Sequence, residues 1–327
     1  MSIGGATYDL FVRVPHDIVA TCKTAKAFAL PLGEKLRIQN VTAVCGGGAC
    51  NTAVGLARLG CRAAFEGVIG SDQWGEKLME NFTREGVETG CITVVEGEVS
   101  SFSIILSADG GERVILYTPG ANEHLHDANF DRDIALAMDW IYLNHIPEQT
   151  WAIQDDIVPI LTGKRKARLT WNPGGHQIDR GVNAPDVRAL LAQTSLLLLN
   201  REEAERFTRT DGVGSALGTL CDLCPGIVCI TDGSRGTAAS DGKKLCRCPA
   251  VAGTAVVETT GAGDAFGTGV TWALIEELPL PEALKAGTIN ASSVIGAIGA
   301  QAGLLTDTEI RKRLQASEIE VEVTSLR

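Results

Sequence analysis

A glycine-rich segment near the end of the chain, residues 258–267, carries the residue types that phosphate chemistry needs. It reads Glu-Thr-Thr-Gly-Ala-Gly-Asp-Ala-Phe-Gly, and the apolar stretch that follows predicts a helix. Gly261 and Gly263 would let backbone N–H groups approach a phosphate at the positive end of that helix. Asp264, in the first helical turn, could accept the proton of an attacking hydroxyl. The segment therefore predicts phosphoryl transfer, with an ordinary helix cap as the alternative.

Two other nucleotide-binding signatures are missing from the sequence. No G-x-x-x-x-G-K-[ST] segment of a P-loop occurs. A dinucleotide-binding G-x-G-x-x-G beginning at Gly261 would need glycine at position 266, where Phe266 stands. The sequence therefore disfavours both a P-loop enzyme and a dehydrogenase.

The composition is that of an ordinary globular protein, with 45% hydrophobic and 21% charged residues in 327. This length suits one large α/β domain with a small addition. The net charge of −11 argues against nucleic acid or an anionic membrane as a partner. No apolar run approaches the ~18 residues of a membrane span, and the N-terminus does not resemble a secretory signal. We therefore expect a cytoplasmic protein.

Cysteine and histidine spacing does not predict a metal site. The pair Cys221 and Cys224 has the spacing of a zinc-ribbon half, but Cys246 and Cys248 are too close together to complete it. Without a secretory signal, disulfides are not expected. We interpret the ten cysteines as free, mostly core residues.

Short apolar runs that end in polar residues or glycine alternate with helix-like stretches. The runs at 65–69, 140–143, 169–171, 196–199 and 227–231 predict strands of a mostly parallel sheet. Ligands bind at the carboxyl ends of such strands.

Two segments, 11–43 and 92–117, break this rhythm, and the second has Asp109-Gly110-Gly111 as a turn signal. We predict that they pair as a small β-sheet lid over the strand ends. Residues 1–10, 44–91 and 118–327 would then form the large domain.

The motifs resemble those of the ribokinase family, the phosphofructokinase-B group of carbohydrate kinases. Residues 258–264 are similar to the family's D-T-x-G-A-G-D, and residues 46–51 to its G-G-x-[GA]-x-N. Further matches lie at 67–87, 111–122, 200–203 and 231–236, in the family's order and over nearly the whole chain. The resemblance implies a three-layer α/β/α fold with a mostly parallel central sheet and a small β-sheet lid.

The resemblance also implies an activity, the transfer of the γ-phosphoryl group of ATP to a hydroxyl of a ribose- or fructose-like monosaccharide. Asp264 would be the catalytic base, beside an anion hole at Gly261, Ala262 and Gly263. The sugar would contact Asp9, Gly46, Gly47 and Asn51. The nucleotide would contact Asn200, Thr231, Gly233, Ser234, Gly236 and Asn290. Glu203 would act on Mg²⁺, through water.

Two positions depart from the family pattern. Glu258 replaces the aspartate that belongs to a monovalent-cation site in several relatives, so dependence on K⁺ is open. Ribose-binding members carry a glutamate after the strand that corresponds to residues 140–143, where this chain has Asn144 and His145. Ribose itself is therefore not assigned.

Three alternatives stay open. A nucleoside kinase would use apolar lid residues such as Phe11 to stack a base, and a sugar-phosphate kinase would use basic ones such as Arg13, Lys35, Arg37 or Arg113. A ligand sensor could keep the fold without catalysis. The preferred acceptor is an unphosphorylated sugar. Because the exposed edges of a lid sheet can pair across a two-fold axis, a homodimer through the lid is also predicted.

Overall fold

The protein is seen in a computed structural model that describes residues 1–14, 19–22, 25–107, 113–127, 132–146, 154–163 and 167–326. A ten-stranded sheet is flanked by helices, and a separate four-stranded sheet lies apart from it. The predicted α/β class, with a mostly parallel central sheet and a small second sheet, is confirmed.

The strands of the central sheet are β1 (Ser2–Ile3), β6 (Phe65–Gly70), β7 (Ile92–Val95), β10 (Trp140–Leu143), β11 (Arg168–Trp171), β12 (Leu196–Asn200), β13 (Ile227–Thr231), β14 (Thr237–Ser240), β15 (Lys244–Cys248) and β16 (Glu322–Ser325). Their order in the sheet is β16-β15-β14-β13-β12-β11-β10-β1-β6-β7. The seven strands from β13 to β7 in this order pair in parallel, and β14, β15 and β16 add antiparallel pairs at one edge.

Both faces of this sheet are covered, which explains why its strands read as continuous apolar runs. Ile141 and Leu143 of β10 pack into one hydrophobic cluster, with Trp171 and Phe207. Tyr142, on the opposite face, packs into another cluster, with Trp272. The two clusters are the two interfaces of a three-layer structure.

The helices connect the strands and cover the sheet. They are α1 (Gly48–Arg58), α2 (Gln73–Arg84), α3 (Arg132–Leu136), α4 (Gln154–Thr162), α5 (Gly175–Arg180), α6 (Pro185–Leu191), α7 (Arg201–Thr208), α8 (Val213–Leu223), α9 (Ala262–Ile275), α10 (Leu280–Val294) and α11 (Asp307–Gln315). Helices α9 and α10 approach closely because glycines face each other. A Cβ on Gly269 would lie 2.8 Å from the carbonyl oxygen of Ala286, and one on Gly287 would lie 2.6 Å from Val270.

The strands of the small sheet are β2 (Thr7–Arg13), β5 (Asn40–Gly46), β8 (Phe102–Ser107) and β9 (Arg113–Thr118), in the order β5-β2-β8-β9. A separate hairpin pairs β3 (Val19–Cys22) with β4 (Ala25–Phe28). Because β2 pairs with β8, the two segments that break the α/β rhythm do meet in space. The predicted turn at Asp109-Gly110-Gly111 lies outside the described residues.

The strands do not follow the predicted boundaries of the lid at two places. Thr7–Arg13 forms one continuous strand of the small sheet, so Asp9 belongs to that sheet. Ile92–Val95 pairs with β6 at the edge of the central sheet instead of joining the small one. An edge strand of either sheet alternates in the same way, so the sequence could not distinguish them. The division of the chain into two domains remains a prediction.

Within the described residues, no helix is long and apolar enough to cross a membrane. The nine cysteines whose side chains are described are free thiols. In the same part of the chain, no group of three or more His, Cys, Asp or Glu side chains is arranged to hold a metal ion.

Candidate active site

The glycine-rich segment forms the N-terminus of α9. Gly261 precedes the helix with φ = +78°, and a Cβ there would lie 2.3 Å from that of Ala300, so glycine is required. Gly263 is exposed and has open space around its Cα. In the described part of the chain, the backbone N–H groups of Gly263 and Asp264 have no acceptor. Such first-turn donors can bind an anion.

Asp264 lies beside these donors and is partly buried. Its Oδ2 accepts a hydrogen bond of 2.8 Å from Asn51 Nδ2, on the first turn of α1. Burial raises the pKa of Asp264 to about 6, and the bond from Asn51 opposes that rise. A pKa just below neutral suits a general base, because the carboxylate is then ionised yet still basic.

Asp9 and Gly46 touch across the paired strands β2 and β5. A Cβ on Gly46 would lie 2.2 Å from Asp9 Oδ2, and Ser103 of β8 donates a hydrogen bond to Asp9 Oδ1. Burial raises the pKa of Asp9 to about 6. Gly47, with φ = +91°, packs against the loop between β1 and β2, where a Cβ would lie 2.6 Å from the carbonyl oxygen of Gly5. The structure therefore brings Asp9, Gly46 and Gly47 together, next to the helix that carries Asn51.

Asn200 and Thr231 lie opposite each other at the carboxyl ends of β12 and β13. Asn200 and Glu203 form a capping box at the start of α7, since Asn200 Oδ1 accepts from the Glu203 N–H at 2.9 Å and Glu203 Oε2 accepts from the Asn200 N–H at 2.8 Å. Burial raises the pKa of Glu203. Within the described residues Glu203 Oε1 accepts no hydrogen bond, so one carboxylate oxygen stays available.

The glycines that follow β13 differ in their roles. Gly233 has φ = +55° and, like Ser234, is exposed. Gly236 is buried with φ = +87°, and a Cβ there would lie 2.2 Å from the carbonyl oxygen of Cys248. Gly233 and Ser234 can therefore face a ligand, whereas Gly236 is needed for packing against β15.

Asn290, which the resemblance assigned to the nucleotide, does not line an open pocket. Its side chain is 1% exposed, and its amide donates to the Ala265 carbonyl (2.8 Å) and accepts from the Leu305 N–H (3.1 Å). Its neighbours on α10, Ile289 and Ser292, instead line a cavity of about 690 Å³ together with residues 249–252. The resemblance assigned Asn290 to the nucleotide, but the sequence does not reveal which face of α10 borders the cavity.

Glu258 takes part in a connection that the sequence did not predict. Its Oε1 accepts from the N–H groups of Thr259 (2.8 Å) and Thr260 (3.0 Å) and from the Thr260 hydroxyl (2.9 Å). Arg113, on β9 of the small sheet, also donates to this oxygen at 2.5 Å and to the Thr259 hydroxyl at 3.1 Å. An ion pair thus connects the small sheet to the loop that precedes α9.

His145 follows β10, at the place where ribose-binding members of the family carry a glutamate. Its ring lies against Gly174, since a Cβ there would fall 1.4 Å from His145 Nδ1. Partial desolvation of the ring, together with the nearby His176, lowers the pKa of His145. The imidazole is therefore neutral near pH 7, where a glutamate would carry a negative charge.

Comparison with known proteins is consistent with this geometry. The model of the pfkB family carbohydrate kinases matches residues 18–307. A sugar kinase of Archaeoglobus fulgidus, described as uncharacterised, is 31% identical over 77% of this chain and 98% of its own length. The ribokinase of Haemophilus influenzae is 29% identical over 96% of this chain and 97% of its own.

The fold is similarly shared. The structure of adenosine kinase from Sinorhizobium meliloti superposes with a TM-score of 0.79 at 23% identity, covering 97% of this chain and 98% of the other. These matches confirm the resemblance inferred from the motifs and the phosphotransferase class that it implies. The chain belongs to the pfkB family of carbohydrate kinases.

Proposed function

We propose that this protein transfers the γ-phosphoryl group of ATP to a hydroxyl of a monosaccharide, with Asp264 as the catalytic base. One observation carries the proposal. Asp264, held by Asn51, lies beside two N–H groups that have no acceptor in the described structure. A proton acceptor and an anion-binding pair are therefore adjacent, which is what phosphoryl transfer to a hydroxyl requires.

In this mechanism Asp264 takes the proton of the acceptor hydroxyl as its oxygen attacks the γ-phosphorus. The bond from phosphorus to the bridging oxygen of ADP breaks as the new P–O bond forms. The N–H groups of Gly263 and Asp264 stabilise the negative charge on the transferred group. The small sheet limits water access, which reduces unproductive hydrolysis.

The nucleotide is assigned to the side of the Gly261 loop that is opposite the acceptor sugar. The exposed Gly233 and Ser234 would contact its phosphates, and the cavity beside Ile289 and Ser292 would take its base. A carboxylate oxygen is a ligand type that Mg²⁺ accepts, and Glu203 Oε1, beside Asn200, would provide one for Mg²⁺ bound with the nucleotide. When bound, Mg²⁺ would neutralise phosphate charge.

Two observations support a sugar over the other acceptors. Phe11, the aromatic residue that the sequence left open as a surface for stacking a nucleobase, is only 6% exposed. Arg113, a candidate for binding a sugar phosphate, is already paired with Glu258. Asp9, by contrast, keeps Oδ2 beside Gly46 and is oriented by Ser103, as expected for a carboxylate that binds hydroxyls.

The test measures ADP release with pentoses, hexoses, sugar phosphates and nucleosides as acceptors. Asp264→Asn should lower kcat about 10²–10⁴-fold on the substrate that the wild-type protein uses. Asp211→Asn, at an exposed carboxylate before α8, is the matched control and should retain full activity. A near-wild-type rate for Asp264→Asn would exclude it as the base. ATP binding without turnover on any acceptor would favour the sensor.

The homodimer is proposed through the outer face of the small sheet, the side opposite Asp9. Strand alternation and register place only apolar side chains there beyond the end covered by α2. They are Leu10, Val12, Val41, Ala43, Ile104, Leu106, Val114 and Leu116. Val41 and Leu116 are 47% and 52% exposed. A face of this kind is suited to packing against its own copy.

A further inference from the structure

A chain of buried amides connects Asp264 to the protein surface. Arg84 Nη2 donates to Asn81 Oδ1 (2.5 Å), and Asn81 Nδ2 donates to Gln301 Oε1 (3.1 Å). Gln301 Nε2 then donates to Asn51 Oδ1 (3.3 Å), and Asn51 Nδ2 donates to Asp264 Oδ2 (2.8 Å). The four bonds all run in one direction, from a guanidinium to a carboxylate.

The chemistry of the two ends fixes this direction. An ionised carboxylate only accepts hydrogen bonds, so Asn51 must turn its NH₂ group toward Asp264 and its oxygen toward Gln301. Gln301 must then offer its NH₂ group to Asn51 and its oxygen to Asn81. At the other end a guanidinium only donates, so Arg84 requires the oxygen of Asn81. Each amide therefore has one permitted orientation.

The three amides are almost inaccessible to water. Asn81, Gln301 and Asn51 are 3%, 7% and 4% exposed. Asn81 is on α2, Gln301 is in the segment after α10, and Asn51 is on α1. The orientation of each amide therefore depends on a partner from another element. Buried amides that lose a partner are costly, and bonded ones polarise one another in sequence. Water cannot replace a missing member here.

The segment that carries Gln301 is itself anchored. Arg58 of α1 donates to the carbonyl oxygens of Gln301 (2.7 Å) and Leu304 (3.3 Å), and it pairs with Glu85 at the end of α2. Ala300, the preceding residue, is the one against which Gly261 packs. Gln301 thus lies where α1, the loop that precedes α9, and α2 meet.

We propose that Gln301 and Asn81 are positioning residues for phosphoryl transfer, which act through Asn51 to hold the Asp264 carboxylate in place. Neither is assigned contact with a substrate. The inference rests on the proposed role of Asp264 as the base. Two other titratable groups face Asp264, Tyr142 from β10 and Cys50 from α1. Burial raises the pKa of both, so they stay neutral where Asp264 titrates.

The experiment compares Gln301→Leu, Gln301→Glu and Asn81→Leu with the wild-type protein on the acceptor that it phosphorylates. Gln301→Leu should lower kcat about 10–100-fold with KM for ATP changed less than about 2-fold, because only the base is misplaced. The acidic limb of the kcat profile should move to higher pH, because Asp264 loses a well-oriented donor. Gln301→Glu should do the same, since its acceptor oxygens would face Asn51 Oδ1 and make the Asn51 amide turn over. Asn81→Leu should have a smaller effect of the same kind.

Two comparisons separate positioning from stability. Thr194→Val removes an equally buried hydrogen bond just after α6, from the Thr194 hydroxyl to the Leu190 carbonyl, and should leave kcat and its pH profile unchanged. In an Asn51→Leu background, Gln301→Leu should add little further loss, because its effect passes through Asn51. If Gln301→Leu does not fold, Gln301→Glu and Asn81→Leu decide.

The proposal is overturned if folded Gln301 and Asn81 variants keep the wild-type kcat and acidic limb while Asp264→Asn is inactive. That result would leave the proposed function intact. It is also overturned if Thr194→Val lowers kcat as much as Gln301→Leu does. If Asp264→Asn itself turns over at a near-wild-type rate, it is the proposed function that fails.

Discussion

At the scale of single residues, the pKa of Asp264 determines when the site can work. Burial raises it to about 6, so the carboxylate is ionised in most molecules only above that pH. Because kcat/KM reports ionisation in the free protein, we expect kcat/KM to rise through about pH 6 and to level off above pH 7. Burial also raises the pKa of Asp9 to about 6, so kcat/KM should fall more steeply in acid than it would for a single group. A kcat/KM that is flat from pH 5 to 8 would contradict this role.

The same pKa has a consequence for stability, and its sign is opposite to that of a salt-bridged aspartate. The folded-state pKa lies above the unfolded value of about 3.9, so the folded protein binds this proton more tightly. The contribution of Asp264 to folding is therefore full below about pH 4 and lost as pH rises through about 6. In the Asp264→Asn protein this loss should be missing, so its Tm relative to wild type should be higher at pH 8 than at pH 4.5.

At the scale of elements, Arg113 of β9 and Glu258 connect the small sheet to the loop before α9. The guanidinium supplies a positive charge at the carboxylate where the family resemblance implied a monovalent-cation site. We expect wild-type activity to be unchanged when K⁺ is replaced by a bulky organic cation. Arg113→Gln should lower kcat/KM about 2–5-fold, in line with the roughly 0.2–1 kcal/mol that an exposed ion pair contributes. Lys35→Gln, at an exposed cation between β4 and β5, is the control.

Strong activation of the wild-type protein by K⁺ would contradict this interpretation of Glu258. So would an Arg113→Gln protein that behaves like Lys35→Gln. If Arg113→Gln alone became responsive to K⁺, the guanidinium would be confirmed as the substitute for a cation.

Elements were predictable from the sequence where burial acts on both faces of a strand. The apolar runs of β10 and β12 are continuous because helices cover each side of the sheet. These strands could therefore be predicted from their own sequence, without knowing which strands they pair with. The rotation of α10 was not predictable, because nearly every residue around its middle is buried. The resemblance assigned Asn290 to the nucleotide, whereas Ser292, two residues further along α10, lines the cavity.

At the scale of the whole molecule, the sequence predicted local chemistry better than long-range contacts. Asp264 and its glycines are adjacent in the chain, so their spacing alone indicates an anion site. The chain of buried amides that reaches Asn51 joins positions 81 and 301, which no local sequence pattern relates. The sequence therefore did not identify Gln301, because nothing in its local sequence distinguishes it from any other glutamine that follows a helix.

Assembly is the last property of the whole molecule that the structure addresses. If two small sheets pack through their outer apolar faces, Leu116→Asp should bury a charge in the interface and shift the dimer to monomer. Val323→Asp alters a similarly exposed apolar side chain, 46% against 52%, on β16 of the central sheet and should leave the mass unchanged. Sedimentation velocity over a tenfold range of concentration would measure both. A wild-type protein that sediments as a monomer throughout would exclude this interface, whereas a dimer sensitive only to Leu116→Asp would locate it on the small sheet.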